Sequence, residues 1–357
     1  MSLLDQLLRK MPEVKVSDLH ISANMPPLLR MNGFLNPLKM PALTPEKTEQ
    51  MILEILTPQQ KETFQKYWDL DFCYEIAGVG RFRANVLKQR QGVDAVFRYI
   101  PIAVPSAKDL GLNETIVSLA HLHQGLVLVT GPTRSGKTAT LAALIQAVAE
   151  TEPVHILTIE DPIEYVFPVG KALINQREVN KHTQSTAAAL RAALREDPDI
   201  IMVGEMRDLE TIQLAISAAE TGHLVLSTLQ TQSAHKTIDR IVDSFPANQA
   251  PQIRAMLSES LRGVISQQLL RRADRKGMVL ATEILLATPS LSNLIRDGKT
   301  FQIPSVMQTS VSLGMRKMDD AISELLWSGV ITKEEALRVA HIKKDIMDKP
   351  PEKRKVG

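Results

Sequence analysis

The sequence is poor in cysteine and in aromatic residues, and it carries almost no net charge. Cys73 is the only cysteine in 357 residues, which excludes an internal disulfide and a zinc site made of four cysteines. Aromatic residues make up 4% of the chain, too few to indicate a base-stacking surface. The formal net charge of +2 likewise indicates no basic field for nucleic acid. We therefore expect no nucleic-acid partner.

Long apolar runs are also missing. None approaches the ~18 residues of a membrane-spanning helix, and the N-terminus lacks the apolar segment of a signal peptide. We therefore expect no direct membrane insertion, and any membrane contact should pass through a partner. A single cysteine suits the cytoplasm, which is the predicted location. The length suggests two domains.

The sequence pattern changes near residue 100. Alternating apolar residues with intervening turns predict a mixed α/β domain over 1–100, whose sheet is largely antiparallel. A proline-rich stretch predicts a linker within 101–112. Over 113–345, strands alternate with helices, which is typical of a parallel sheet covered on both faces. The Pro- and Lys-rich tail, 346–357, is predicted to be disordered.

The last third of the chain is predicted to be mainly helical. Apolar spacing from Ile253 to Ile265 predicts one continuous helix. Met278–Ile284 predicts a strand, paired with Leu269–Leu270 in a hairpin. The predicted fold class is thus α/β, with an N-terminal α/β domain and a larger C-terminal domain that ends in a helical part.

One eight-residue stretch carries the clearest chemical signal. It matches the phosphate-loop pattern G-x-x-x-x-G-K-[ST] and consists of Gly131, Pro132, Thr133, Arg134, Ser135, Gly136, Lys137 and Thr138. A buried-strand pattern precedes it and apolar residues at helical spacing follow it, so a purely structural glycine turn is the weaker interpretation. We predict that backbone N–H groups bind the phosphates of a nucleotide, that Lys137 reaches the β- and γ-phosphates, and that Thr138 holds Mg²⁺.

Acidic residues follow two predicted strands, at the edge where open α/β sheets bind ligands. Glu160, Asp161 and Glu164 follow one strand. With a phosphate loop upstream, we favour a metal and water site there over a solvated acidic turn. Glu205 follows the other strand in a segment like a Walker B element, with Gly204 where an aspartate often holds Mg²⁺. Glu205 is therefore predicted to polarise the attacking water, with an ordinary strand-end glutamate as the alternative.

Two further side chains flank the predicted strand 224–228. His223 precedes it, and a histidine after a helix end is more often a capping or core residue than a sensor. Gln230 follows it, where a side chain can sense the γ-phosphate, because an amide both donates and accepts hydrogen bonds.

Taken together, these motifs resemble those of the type IV pilus retraction ATPases, the PilT or twitching-motility family of the secretion ATPase superfamily. The resemblance covers nearly the whole chain. It is carried by SDLH at 17–20, RFR at 81–83, GLVLVTGPT at 125–133, LTIEDPIE at 157–164, NQRE at 175–178, ALREDPDII at 193–201, GEMRD at 204–208, AETGH at 219–223, MLSESL at 256–261 and NLIR at 293–296.

The resemblance implies a PAS-like N-terminal domain, a RecA-like ATPase domain and a ring-shaped homohexamer that binds ATP and Mg²⁺ between the two domains. It also implies that Glu164 belongs to the Asp box and holds Mg²⁺ directly or through water. By the same resemblance, Glu205 is the catalytic glutamate and His223 belongs to a catalytic His box.

The family pattern also implies arginines that reach the nucleotide from the N-terminal domain. The candidates are Arg81, Arg83 and Arg98, and their strand alternation equally permits them to be ordinary outward-facing residues. A further segment resembles the family's C-terminal retraction motif, which serves pilus retraction rather than nucleotide binding. It consists of Asn293, Leu294, Ile295 and Arg296.

The implied function is an ATP-hydrolysing motor for pilus retraction and twitching. It would lie in the cytoplasm at the inner membrane, at the pilus base, with a platform protein and a homologous retraction ATPase as partners. Two departures leave a rival open: Arg134 stands where the family usually has glycine, and Gln230 where it usually has histidine. At a position with positive φ, a residue other than glycine costs on the order of 1 kcal/mol.

The rival is a nucleotide-binding paralogue with weak or no ATPase activity that assists or regulates an active motor. Assembly and secretion ATPases of the same superfamily are a second alternative. Their longer N-terminal region and Cys₄ motif are missing here. A DNA motor lacks support from charge or aromatic residues.

Overall fold

The structure is a computed structural model of the chain, which describes residues 2–14, 16–31 and 34–347. It is α/β with two separate sheets, as predicted. Contacts divide it into two compact units. The first combines Met1–Val104 with Pro162–Val166, and the second combines Pro105–Asp161 with the chain from Phe167 onward. Residues 348–357, the greater part of the tail predicted to be disordered, lie outside the described residues.

The first unit is a six-stranded antiparallel sheet in the order β3-β2-β1-β6-β5-β4. Its strands are β1 (Asp18–Ile21), β2 (Leu28–Met31), β3 (Phe34–Pro37), β4 (Asp69–Ile76), β5 (Gly80–Gln89) and β6 (Gly92–Ile100). Its helices are α1 (Leu3–Lys10), α2 (Pro45–Leu53) and α3 (Pro58–Tyr67). One sheet face and these helices enclose a core that includes Phe82 and Phe97. Alternate residues of β5 and β6 are therefore left on the other face.

The second unit is a seven-stranded sheet in the order β13-β12-β7-β11-β10-β8-β9. Its strands are β7 (Gly125–Thr130), β8 (His155–Glu160), β9 (Leu173–Glu178), β10 (Ile200–Val203), β11 (Leu224–Leu229), β12 (Leu261–Arg271) and β13 (Met278–Leu286). β13 is antiparallel to its neighbour β12, and every other neighbouring pair is parallel.

The helices of the second unit lie before, between and after these strands. They are α4 (Glu114–Ser118), α5 (Lys137–Thr151), α6 (Thr186–Ala193), α7 (Leu209–Glu220), α8 (Ala234–Asp243), α9 (Ala250–Ser260), α10 (Pro289–Arg296), α11 (Ile303–Thr309), α12 (Met318–Trp327), α13 (Lys333–Val339) and α14 (Lys343–Met347). None of the helices in the described part of the chain is long and apolar enough to cross a membrane.

The central strands are buried on both faces. Leu128 of β7 belongs to one core and its neighbour Val129 to another, on opposite sides of the sheet. This explains the uninterrupted apolar runs of β7, β10 and β11. Because these strands are parallel, their carboxyl ends meet at one edge of the sheet, and the segments that follow them form the site.

The predicted continuous helix from Ile253 to Ile265 is wrong. α9 ends at Ser260, and the following residues form β12, which pairs in parallel with β7. Val264 and Ile265 enter opposite cores, and an apolar run buried on both faces has no period that separates strand from helix. The predicted hairpin is confirmed, because Leu269 of β12 pairs with Leu280 of β13.

Candidate nucleotide-binding site

The phosphate loop joins the end of β7 to the start of α5. At its first residue, Gly131, an added Cβ would lie 2.3 Å from the carbonyl oxygen of Gln267 on β12 and 2.6 Å from Oγ of Ser135. Only glycine therefore permits the loop to lie this close to β12. Further along, Arg134 and Gly136 have φ angles of 68° and 87°. Positive φ values on either side of Ser135 curl the backbone into a concave turn, a shape that gathers N–H groups around an anion.

Arg134 takes a conformation that favours glycine. Its φ of 68° lies in the left-handed region, and its side chain is exposed. A conformational cost is expected here, since the family usually has glycine at this position. The backbone strain costs about 1 kcal/mol, and the loop takes this conformation with arginine in place.

Lys137 lies over the loop. Its Nζ donates hydrogen bonds to the carbonyl oxygens of Gly131 at 2.9 Å and Pro132 at 3.0 Å, which leaves one N–H for a ligand. Burial lowers the pKa of Lys137, and the negative charge of Glu205 partly offsets this shift. The hydroxyl of Ser135 is buried and has no hydrogen-bond partner among the described residues. A half-buried cation, an unpaired hydroxyl and a glycine cradle fit a phosphate group.

Glu205 follows β10 at the same edge of the sheet. Its Oε1 accepts a hydrogen bond of 2.6 Å from Nε2 of Gln230, and its Oε2 accepts one of 2.8 Å from Nε of Arg207. Nη1 of Arg207 lies 3.8 Å from Oδ2 of Asp161. Both carboxylate oxygens are thus oriented, and each keeps lone-pair capacity for a water molecule. The structure therefore brings Glu205 and Gln230 together, after the ends of two neighbouring strands.

The three acids predicted to form one metal and water site have different partners. Glu160 is buried and accepts hydrogen bonds from Thr158 at 2.7 Å and Gln176 at 3.1 Å. Asp161 lies near Arg207. Glu164 belongs to the first unit. Among the described residues there is no group of three or more His, Cys, Asp or Glu that can hold a metal ion.

Mg²⁺ does not need such a group in a nucleotide site, because it takes water and phosphate oxygens with one or two protein ligands. Thr138, the second residue of α5, fits that role as a neutral oxygen donor next to Lys137. Glu164 as a second metal ligand stays a prediction.

The three candidate arginines share one face of the first sheet. Arg81 and Arg83 are two residues apart on β5 and so share a face, and Arg98 lies opposite Arg83 on the neighbouring strand β6. Arg98 donates two hydrogen bonds, of 2.9 and 2.8 Å, to Oδ1 of Asp18, a residue that is 2% exposed. The ion pair with Asp18 therefore gives Arg98 a structural partner.

The other two arginines have longer ion pairs. Arg83 lies 3.5 Å from Glu164, and Arg81 lies 3.7 Å from Glu75. Distances of this length leave most hydrogen-bonding capacity of the two guanidinium groups unused by these carboxylates. Contact of Arg81 and Arg83 with a nucleotide stays a prediction.

His223 lies at the opposite edge of the second sheet from the phosphate loop. It immediately precedes β11, whose first residue pairs with Gly125 at the start of β7. The six residues of β7 separate that edge from the loop by roughly 20 Å. Nδ1 of His223 lies 3.1 Å from the carbonyl oxygen of Ala218 in the last turn of α7, which is a capping contact. A catalytic role for His223 has no support from contacts within the second unit and stays a prediction.

The predicted retraction motif occupies the second half of α10. Ile295 is buried in the core, whereas Asn293 and Arg296 are exposed one turn apart. Leu294 packs against the same core as Ile295. Arg296 lies 3.7 Å from Glu259 of α9. The motif therefore presents two polar side chains on an anchored helix.

Two residues of the site were given no role by the sequence reasoning. Arg207 lies within the GEMRD motif, and its position two residues after Glu205 was the available signal. Gln267 contacts the phosphate loop from β12. The only sequence signal for Gln267 is that two adjacent glutamines interrupt an apolar run. The pattern does not place Gln267 beside the loop, because it predicts a helix where β12 begins.

Comparisons to known proteins agree with the fold. The Type II/IV secretion system protein family matches residues 74–325. The type IV pilus retraction ATPase PilT of Pseudomonas aeruginosa is 49% identical over 326 residues, which are 91% of this chain and 94% of that protein. A twitching motility protein of Neisseria gonorrhoeae is 48% identical over 334 residues, which are 94% of this chain and 89% of that protein.

A solved structure also matches over the whole length. The pilus retraction motor PilT with bound ADP gives a TM-score of 0.87 at 45% identity, and the match covers 97% of this chain and 98% of that one. The agreement therefore includes the first unit as well as the phosphate-loop unit. The chain belongs to the PilT family of pilus retraction ATPases, within the type II/IV secretion system proteins.

Proposed function

We propose that this chain hydrolyses ATP as one subunit of a homohexameric ring and uses the energy to retract a type IV pilus. The observation that carries the proposal is the position of Glu205. Gln230 and Arg207 each donate a hydrogen bond to one oxygen of this carboxylate. Its negative charge partly offsets the lowering of the Lys137 pKa by burial. An oriented base at the same sheet edge as a phosphate-binding lysine is an arrangement that can activate water for phosphoryl transfer.

Each residue of the site has its own proposed role. The loop N–H groups and Lys137 bind the phosphates, and Thr138 would hold Mg²⁺, which would neutralise charge on the phosphate oxygens. Glu205 orients and deprotonates water. The amide of Gln230 senses the γ-phosphate and keeps Glu205 in place. In the transition state, charge is spread over the three equatorial phosphoryl oxygens, so additional cations placed there accelerate the reaction.

Arg81 and Arg83 are the proposed source of those cations. Their ion pairs are long, and they lie on the sheet face opposite the core of the first unit. A head-to-tail ring would repeat such an arginine face at every subunit contact. Glu164, which lies 3.5 Å from Arg83, would join them as the Asp-box carboxylate.

The pilus-level role rests on the relatives and on α10. A PilT and a twitching motility protein share about half of their residues with this chain over nearly its full length. Asn293 and Arg296 are exposed on a helix that the core anchors. We place the ring in the cytoplasm, docked on an inner-membrane platform protein at the pilus base, where a homologous retraction ATPase can join it.

The rival function, an inactive nucleotide-binding paralogue, is not favoured. It rests on Arg134 and Gln230. Gln230 donates a 2.6 Å hydrogen bond to Glu205, so the glutamine at this position orients the catalytic carboxylate. Arg134 accommodates its positive φ at a modest cost.

The activity proposal is tested by Glu205→Gln. Removing the base should lower kcat by about 10²–10⁴-fold, because a positioned general base contributes that much. Nucleotide affinity should remain within about tenfold of wild type, since the loop is intact. The measurement is steady-state phosphate release, with ADP binding by calorimetry. Glu210→Gln, an exposed carboxylate of α7 paired with Arg191, is the control and should retain wild-type kcat. A Glu205→Gln enzyme as fast as wild type would remove Glu205 from the mechanism.

The double variant Arg134→Gly/Gln230→His separates the proposed function from its rival. We expect its kcat to lie within about tenfold of wild type, because about 1 kcal/mol of loop strain corresponds to less than a tenfold rate change. An inactive paralogue repaired by these two changes would instead gain orders of magnitude. The comparison is made at saturating ATP, and Lys299→Ala, an exposed change distant in sequence, serves as the control.

The retraction proposal is tested by Arg296→Ala in a twitching bacterium that lacks its own retraction motor. Wild-type protein should restore twitching zones on agar. Arg296→Ala should restore none while its purified form keeps wild-type ATPase activity, since Arg296 is exposed and its contacts with α9, at Ser258 and Glu259, lie at the C-terminal end of that helix. Equal twitching by the variant and wild type would show that the motif has no coupling role.

A further inference from the structure

We propose that Gln267 is the positioning residue of the phosphate loop, a role that rests on the nucleotide binding proposed above. Its side chain is 1% exposed and lies on β12, one residue beyond the point where β12 stops pairing with β7. The last pair of that ladder, Thr130 and Ser266, is joined by a hydroxyl contact of 2.7 Å. Gln267 is therefore placed beside the first loop residue by the sheet itself.

The amide of Gln267 connects the loop to the helix that follows it. Nε2 donates a hydrogen bond of 2.7 Å to the carbonyl oxygen of Ser135, in the loop. Oε1 accepts a hydrogen bond of 3.0 Å from Oγ1 of Thr140, in the first turns of α5. The carbonyl of Ser135 only accepts, so the amide must turn its NH₂ group toward it. Both ends of the side chain are committed, and its orientation is fixed.

Peptide planarity converts this contact into control of a phosphate ligand. In a trans peptide the C=O of one residue and the N–H of the next point in opposite directions. Because Gln267 draws the Ser135 carbonyl toward β12, the N–H of Gly136 is aimed away from β12. The Ser135–Gly136 peptide lies in the turn that the positive φ values of Arg134 and Gly136 produce, a backbone shape that can bind an anion. Gln267 thus orients an N–H group that it does not touch.

The main chain of the same residue limits the loop from the other side. The carbonyl oxygen of Gln267 lies against Gly131, where an added Cβ would come within 2.3 Å. The loop is consequently held by β12 at its first residue and again at Ser135. Without the amide, the Ser135 carbonyl would be buried with no partner, and the peptide would gain by rotating toward water.

Gln267→Met tests this proposal, because methionine fills a similar volume and forms neither hydrogen bond. We expect ADP to bind about tenfold more weakly than to wild type, since losing one buried hydrogen bond is worth about a factor of ten in affinity. The KM for ATP should rise by a similar factor, with a smaller change in kcat. Gln268→Met is the matched control: it changes the adjacent glutamine, whose side chain points to the opposite face of the strand, and should leave ADP affinity unchanged.

Thr140→Val tests the same side chain by a milder change. It removes the hydroxyl that holds Oε1 of Gln267 and leaves the loop sequence intact. We expect a smaller loss of ADP affinity, and the double variant Thr140→Val/Gln267→Met should bind ADP no more weakly than Gln267→Met alone. Residues that act through one shared contact are non-additive in this way, whereas independent structural defects add.

The outcomes separate the two proposals. If wild-type protein binds no ADP in calorimetry, nucleotide binding itself is wrong. If wild type binds ADP and folded Gln267→Met binds it equally well, the positioning role is overturned. Additive losses of ADP affinity in the Thr140→Val/Gln267→Met cycle would also overturn it. If Gln267→Met folds poorly, Thr140→Val is compared with an unrelated, equally destabilising change. An equal loss of ADP affinity in those two variants would overturn the positioning role.

Discussion

The close approach of the phosphate loop to β12 is the constraint on which the rest of the site depends. Gly131 has no side chain, so the carbonyl oxygen of Gln267 can lie where a Cβ would be only 2.3 Å away. The amide of the same glutamine then holds Ser135 and Thr140. A strand from late in the chain thereby sets the shape of a loop near its middle. The glycine of the motif serves packing against β12 as well as access for phosphate.

Electrostatics at the sheet edge follow from the parallel topology. β7, β10 and β11 end together, so Lys137, Glu205 and Gln230 are presented by three consecutive neighbours in the sheet. Burial lowers the pKa of Lys137, and Glu205 partly offsets this shift. Gln230 and Arg207 hold that glutamate in turn. Each charged group is thus oriented by another residue at the same edge.

The sequence pattern predicts those parts of the site that are formed by consecutive residues. The loop motif, the apolar strands before it and the acid that follows β10 were all readable from spacing, because strand, loop and helix are consecutive. Whether a residue precedes or follows its strand was readable too. His223 precedes β11 and Gln230 follows it, and in a parallel sheet this alone places them at opposite edges. The catalytic role that the family resemblance implies for His223 stays a prediction.

Contacts between distant segments were not predictable in the same way. β12 was predicted to begin as a helix, because an apolar run buried on both faces carries no distinguishing period, and Gln267 was missed with it. The partner of Glu164 is likewise non-local, since the carboxylate follows β8 but pairs with Arg83 of the first unit. Such contacts depend on tertiary pairing that no window of the sequence contains.

The central claim is that this phosphate loop, with an arginine at its glycine-favouring position, turns over ATP. The most direct measurement is phosphate release by the purified full-length chain with Mg²⁺ and saturating ATP, beside Lys137→Ala prepared in the same way. The account predicts that wild type exceeds Lys137→Ala by about a hundredfold or more, since a charge-stabilising group is worth that much in phosphoryl transfer. Equal rates for the two proteins would contradict it.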